Sequence, residues 1–343
     1  METKDAIFFK NTLSLILDDL DTMCDMGFEE TLIKIARKLD PLRHTICLSN
    51  ANTRPVQKVA KATMRNPLLI GCASAQQQVK SVEDKTFKSN NQRNQELFKQ
   101  ELNKFESINA GYIKHGYLTI PTIDRFNLLY TYVRKSLLKK TIIFVQTVAE
   151  VKHLVALFRA FDIVTLALHE NLKEVERTKV FFEFHNAKQG GVMFVTELSL
   201  RGLKFTTPIH NLIHFDSPIT PIKYLQRLSH FPPLPTSSTT QPTHLNSILF
   251  ILRENETGLL ESIISKINCT EFELPKQITN VYRDVIKLTD SNFFLNRSSL
   301  DAYFAFMRCY IQYSHDGTYN YKGLDTLGIC RSLGIENPPA IKE

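Results

Sequence analysis

The chain has no G-x-x-x-x-G-K-S/T pattern, the loop whose backbone N–H groups and lysine cradle a nucleotide's phosphates. Without that loop a triphosphate finds neither an anion nest nor a cation here, which argues against tight ATP binding by this chain alone. Six cysteines, Cys24, Cys47, Cys72, Cys269, Cys309 and Cys330, are scattered, with no C-x-x-C pair and no histidine at ligand spacing beside them. Neither a zinc site nor a disulfide framework is expected from that pattern, and reduced thiols are. No apolar run approaches the roughly 20 residues of a membrane span. The opening METKDAIFFK lacks a long apolar core behind a basic start, so the chain is expected neither to span a membrane nor to be secreted. It has no internal repeat, which excludes a solenoid.

What is present is an ordinary globular composition. The 343 residues are 43% hydrophobic and 22% charged, enough for two or three compact units. A formal charge of +7 is compatible with a polyanion partner such as RNA without requiring one. From Phe8 to Ile70 the strands LSLIL and TICLS flank the helical stretch FEETLIKIARKL, in which Phe28, Leu32, Ile35 and Leu39 share one face. Residues 73–109 turn polar, rich in Gln, Asn and Lys, as expected of a linker or insertion. Beyond it, the strand TIIFVQT precedes a helix with Val151, Leu154, Val155 and Phe158 on one face. The strand IVTLAL, a helix ending in Phe181, Phe182 and Phe184, and the strands GVMFVT, NLIHFD and SILFIL follow. This alternation predicts a mostly parallel sheet covered on both faces. FPPLPTSSTTQPTH, from Phe231 to His244, is expected to be an exposed loop. After Glu271 the pattern is helical, with Ser298 and Asp301 placed as a capping pair ahead of Tyr303, Phe304, Met307 and Ile311. Those aromatics are read as core.

The most informative stretch is LILDDLDTMCDMGF, a buried-strand pattern that ends in carboxylates. Such a strand tip is what a nucleotide hydrolase uses to hold Mg²⁺ and orient a water beside a terminal phosphate. With D-M-G-F after it, the pattern resembles the D-E-A-D box of the DEAD-box RNA helicases. The blocks LHENLKEVERTKVFFEFHNAKQGGVMFVTELSLRGL, NLIHFDSPITPIKYLQR and the helical tail follow in the family's order. They are most similar to the nucleolar ribosome-biogenesis branch typified by the yeast Has-type helicase. The resemblance implies an α/β fold: a RecA-like parallel-sheet domain, the helicase C-terminal domain, over 110–270. A partial RecA-like ATP-binding domain would precede it over 1–72, with 73–109 as the linker, and a helical C-terminal extension would follow over 271–343. It implies ATP and Mg²⁺ as the family's cofactors, precursor ribosomal RNA and pre-ribosomal proteins as partners, and a nucleolar location.

Several positions depart from the family pattern. Asp18 and Asp21 match its metal-side aspartates, but Asp19 replaces the glutamate that positions the attacking water. Shortening that side chain by one methylene withdraws the carboxylate by roughly an ångström. The family's S-A-T coupling motif reads Ser49, Asn50, Ala51. Thr196, Arg201 and Gly202 match a motif near the RNA backbone, and Arg177 is a further candidate contact. Lys204 stands where an aspartate would meet the ATP ribose. The motif H-R-x-G-R-x-x-R aligns with Gln226, Arg227, Leu228, Ser229, His230, Phe231, Pro232 and Pro233, so two of its arginines have become His230 and Pro233. Arg177, Arg201 and Arg227 read equally as surface charges or helix-end partners and as RNA or interdomain contacts, and His210 and His214 lie too far apart on a strand to share a metal.

Three functions compete. The chain is a degenerate helicase-like scaffold on precursor ribosomal RNA without autonomous ATPase or unwinding, or part of an active ATP-dependent RNA helicase whose upstream half is missing from this sequence. The third reading is a protein-interaction remnant that does not bind RNA, with strand edges at Leu15 and Ile46 open to a partner. No cofactor is expected for this chain alone, and no metal.

Overall fold

Short apolar runs interrupted by amphipathic helices give two structurally separate units, Met1–Leu97 and Phe98–Glu343. The computed structural model describes residues 12–25, 27–49, 54–68, 70, 99, 102–103, 105–106, 111–233, 244–253, 255–275, 277–314 and 319–339. The stretches 73–109 and 231–244 therefore lie largely outside the described residues, and Asn50 and Ala51 lie wholly outside them.

In the first unit, β1 (Ser14–Leu17) is followed by α1 (Leu20–Asp25), α2 (Glu29–Lys38), β2 (His44–Cys47) and α3 (Arg54–Thr63). The two strands pair in parallel, with Ile16 opposite Ile46. Leu17, Leu20, Cys24, Leu32, Val56 and Val59 form the core. The expected apolar face of α2 is only partly buried. Leu32 and Leu39 are inside, whereas Phe28 and Ile35 are 45% and 43% exposed. Phe28 precedes the first helical turn, and Ala36 rather than Ile35 completes the buried stripe with Leu32.

In the second unit, β3 (Ile113–Ile120), α4 (Arg125–Lys135), β4 (Lys140–Phe144), α5 (Val148–Ala160), β5 (Leu166–Leu168) and α6 (Glu174–Asn186) come first. They are followed by β6 (Gly191–Val195), β7 (Asn211–His214), α7 (Pro221–Leu228), β8 (Leu245–Leu252), α8 (Thr257–Ile264) and β9 (Cys269–Glu271). The seven strands lie in the order β5-β6-β4-β7-β8-β3-β9 and every pair is parallel. Alternate residues of β4 serve opposite faces, as the period of a strand requires. Ile143 joins a core with Phe126, Leu154 and Phe158, and Ile142 and Phe144 join one with Phe184, Tyr224 and Leu259.

Three helices complete this unit: α9 (Tyr282–Ser291), α10 (Phe293–Tyr313) and α11 (Thr326–Ser332). Tyr303, Phe306 and Met307 of α10 enter the first of the two cores. The predicted capping pair is displaced. Helix α10 begins earlier, where the Asn292 side chain accepts from the N–H groups of Phe294 and Leu295 at 2.9 and 3.1 Å. Ser298 instead lies inside the helix and bonds Nδ1 of buried His153 on α5 at 2.9 Å. The other His153 nitrogen donates to the Leu333 carbonyl at 3.0 Å. Among the described residues, no helix is long and apolar enough to cross a membrane.

Candidate functional site

The acidic turn of the first unit follows β1 directly. Asp18 is exposed and accepts the Asp19 backbone N–H at 2.9 Å. Asp19 takes a left-handed backbone, φ +51°, which places the next residue at the start of α1, where the Leu20 N–H donates to the Leu48 carbonyl. Asp21 is buried, and its Oδ1 has no hydrogen-bond partner among the described residues. That orphaned oxygen is a feature a cation would satisfy. No group of three or more metal-capable side chains comes together among the described residues. Mg²⁺ needs only one or two protein carboxylates, with water and phosphate oxygens completing its octahedron, so Asp18 and Asp21 are the residues that would hold it.

The second cluster lies at the carboxyl ends of the seven strands. In open α/β sheets the ligand crevice forms where successive crossovers leave in opposite directions. Here that point falls between β4 and β7, because the chain passes to β5 and β6 on one side and to β7 and β8 on the other. Gln146 and Asp216 stand at its rim. Phe306, Cys309 and Tyr310 of α10 close over the crevice, leaving a small cleft that Gln146, Asp216 and Glu256 also line. Under it, Arg125 pairs with Asp216, both buried, and its guanidinium lies over Phe215 at 4.1 Å and Phe306 at 5.0 Å. Burial raises the carboxyls of Glu150 and Glu256 to about 7, against the lowering pull of Arg125.

Helix α7 delivers Arg227 to the same rim. Its start is set locally: Thr220 accepts the Lys223 N–H and Pro221 occupies the first turn. Of the alternatives open for Arg227, the surface charge is excluded: it lies in the last turn of α7 and is 1% exposed. Nε donates to Glu197 at 3.3 Å, Nη1 to the Asp216 carbonyl at 2.9 Å and Nη2 to Gln146 at 3.1 Å. Nη1 also reaches His214 Nδ1 at 3.4 Å. A guanidinium can only donate, so His214 carries its proton on Nε2 and passes it toward Ser247 at 3.0 Å. Ser247 bonds Tyr224, which bonds His115 at 2.8 Å, a buried relay oriented from Arg227 across the sheet. Gln226 is half-buried and Ser229 exposed. His230 folds back, its ring bonded to the Leu203 carbonyl at 3.1 Å. Burial holds the imidazole below its ordinary value, so it is uncharged at neutral pH.

The loop after β6 carries the remaining sequence candidates and brings them together. Arg177, from α6, donates to the Ser199 carbonyl at 3.0 Å and to that of Arg201, which shapes the turn around Gly202. Gly202 has φ +71° and open space where a Cβ would stand. The Thr196 hydroxyl is buried and donates to Glu170 at 2.6 Å. Sequence reasoning missed Glu170, Glu197, Gln146, Arg125 and Asp216. Arg125 carried one readable sign, a lone cation inside the apolar run FNLLYTYV that it opens.

Comparison with known proteins agrees with this architecture. The family described as the helicase conserved C-terminal domain matches residues 124–229. A probable ATP-dependent RNA helicase ddx18 of Dictyostelium discoideum is 30% identical over 335 residues, covering 97% of this chain and 49% of that protein. The human ATP-dependent RNA helicase DDX18 is 27% identical over 344 residues, covering 99% of this chain and 46% of that protein. The chain thus spans about half the length of the curated relatives it matches. Among solved structures, Mss116p bound to single-stranded RNA and AMP-PNP superposes with a TM-score of 0.59 at 16% identity, over 96% of this chain and 60% of that one. S. cerevisiae Dbp5 bound to RNA and ADP BeF3 gives 0.51 at 17% identity, over 85% and 64%. Fold and matched region together define a RecA-like α/β protein with a helicase C-terminal domain. The chain belongs to the DEAD-box RNA helicase family.

Proposed function

We propose that this chain is a ribosome-biogenesis member of its family that binds precursor ribosomal RNA through the loop after β6 and does not hydrolyse ATP on its own. The observation that carries the second half is the state of the segment Gln226–Pro233. Its one arginine, Arg227, is buried with Nε, Nη1 and Nη2 all engaged inside the unit, and His230 is neutral. Arginines that neutralise a transferring phosphoryl are worth roughly 10³ to 10⁵ in rate. Neither a histidine held neutral nor Pro233 supplies that charge. Asp19, one methylene shorter than glutamate, acts in the same direction.

The RNA half of the reading rests on the loop that carries Thr196, Arg201 and Gly202, with Arg177 bonded to it. Phosphate contacts from backbone N–H groups, hydroxyls and arginines need no nucleotide, and such binding weakens steeply as salt rises. Relatives named as RNA helicases and fold neighbours solved with RNA support RNA as the partner. A nucleolar site of action and pre-ribosomal protein partners belong to the same proposal. Ultraviolet crosslinking of the tagged protein in its own cells, followed by sequencing of attached RNA, tests it. Precursor ribosomal RNA at defined positions is the expected result, and no RNA above background would overturn it.

A further inference from the structure

The hydroxyl of Thr196 has a single proton to give, and Glu170 holds it. Thr196 is 2% exposed. Its N–H donates to the Leu168 carbonyl at 3.2 Å, its carbonyl accepts from Ser199 at 2.7 Å, and its Oγ1 donates to Glu170 at 2.6 Å. Every polar atom of the residue is therefore engaged within the unit. The last of these contacts has the short length of a charge-assisted O–H···O⁻ bond. A phosphodiester oxygen seeks the same donor with the same geometry and the same charge.

Glu170 reaches Thr196 from the turn that follows β5, and it is exposed although its partner is buried. Its carboxylate is thus an anion parked at the surface over a buried donor. Neighbouring carboxylates extend the same sign: Glu174 and Glu176 lie in the first turn of α6, and Glu197 follows Thr196. Glu197 is neutralised by Lys223 at 3.1 Å and Arg227 at 3.3 Å. Among the described residues Glu170 forms no ion pair, and its hydrogen-bond partner is the threonine hydroxyl.

We propose that Glu170 is an intramolecular stand-in for a backbone phosphate: it occupies the Thr196 donor, repels the RNA chain there, and sets the affinity of this surface low. The inference rests on the reading of the 196–202 loop as an RNA surface. It assigns Glu170 a role as the residue that tunes that surface, through a contact the loop's own sequence does not reveal.

The test is a double-mutant cycle in the full chain, read as binding of a short fluorescein-labelled single-stranded RNA by anisotropy at low and moderate salt. Glu170→Ala is expected to tighten binding about tenfold, the size of one charge-assisted hydrogen bond freed for the ligand. The gain should shrink as salt rises. In a Thr196→Val background the same Glu170→Ala change should give less than about a twofold gain. An unchanged affinity in Glu170→Ala, with the parent protein binding, would overturn the inference and leave the RNA surface standing. An equal gain in both backgrounds would show charge acting at a distance and would overturn the Thr196 contact as its cause. No binding by either protein at low salt would overturn the RNA reading and the inference with it. Thermal melts of all four proteins separate loss of fold from loss of contact.

Discussion

Asp21 of the first unit and Asp216 of the second are both buried acids that follow closely on a strand, yet one is an orphan and the other a keystone. Asp216 accepts from Arg125 and from the Gln146 N–H at 2.7 Å, whereas Asp21 has an oxygen without a partner among the described residues. The contrast extends to the units that hold them. Among the described residues, the two strands and three short helices of the first unit leave Ile16 and Ile46 61% and 49% exposed. Seven strands with helices on both faces bury Ile142, Ile143, Leu212 and Ile213 completely. The same βα pattern thus gives a marginal or a robust unit according to how many strands share the core.

The largest expected effect follows from that difference. Residues 98–343 expressed alone should unfold in one cooperative urea transition, and residues 1–97 alone should show none. A cooperative melt of the smaller piece would break the comparison. Next in size is Arg125→Ala, which leaves Asp216 buried and unpaired and should cost about 3–5 kcal/mol in urea unfolding of the second unit.

A pH effect comes third. Burial lowers His153 from 6.5 to about 4, so the folded state refuses a proton that the unfolded state accepts. The stability it contributes is complete above pH 6.5 and is lost as pH falls toward 4. Between pH 7 and pH 5 the loss is about 2 kcal/mol. Glu150 and Glu256, raised to about 7, act in the opposite direction, because the folded state holds their protons more tightly. The effect of His153 is therefore read as the difference in pH slope between the parent and His153→Gln. Equal slopes would remove His153 as the pin between α5 and α10. The smallest expected change is in the first unit. Breaking the exposed pair Lys58–Glu29, 3.2 Å apart, with Lys58→Ala should cost less than about 0.5 kcal/mol.

Much of the second unit was legible from periodicity. Val151, Leu154, Val155 and Phe158 all face the core as their spacing requires. The strand expected at IVTLAL shrank to Leu166–Leu168, because Asp162 takes a left-handed turn at φ +59° and the Ile163 N–H is spent on the Phe158 carbonyl. β3 escaped notice, since IKHGYLTI interleaves polar residues and a glycine. The Phe272 ring covers Gly116, where a Cβ would stand 1.9 Å from it and push it aside. His115 is polar because it ends the relay from Tyr224. Motif alignment located Thr196, Arg201, Gly202 and Arg227, but their bonding could not be read from order along the chain. Arg227 is enclosed by groups from three separate segments: Gln146, Glu197, and His214 with Asp216. Thr196 is held by Glu170, which is 26 residues away in sequence.

The most direct single measurement is ATP turnover by the full chain with Mg²⁺, with and without single-stranded RNA, alongside RNA binding in the same buffer at stepped salt. Salt-dependent RNA binding with hydrolysis no faster than a protein-free control is the expected result. RNA-stimulated hydrolysis would contradict it, and would mean that Arg227 and the acidic turn assemble a working site despite their internal bonding.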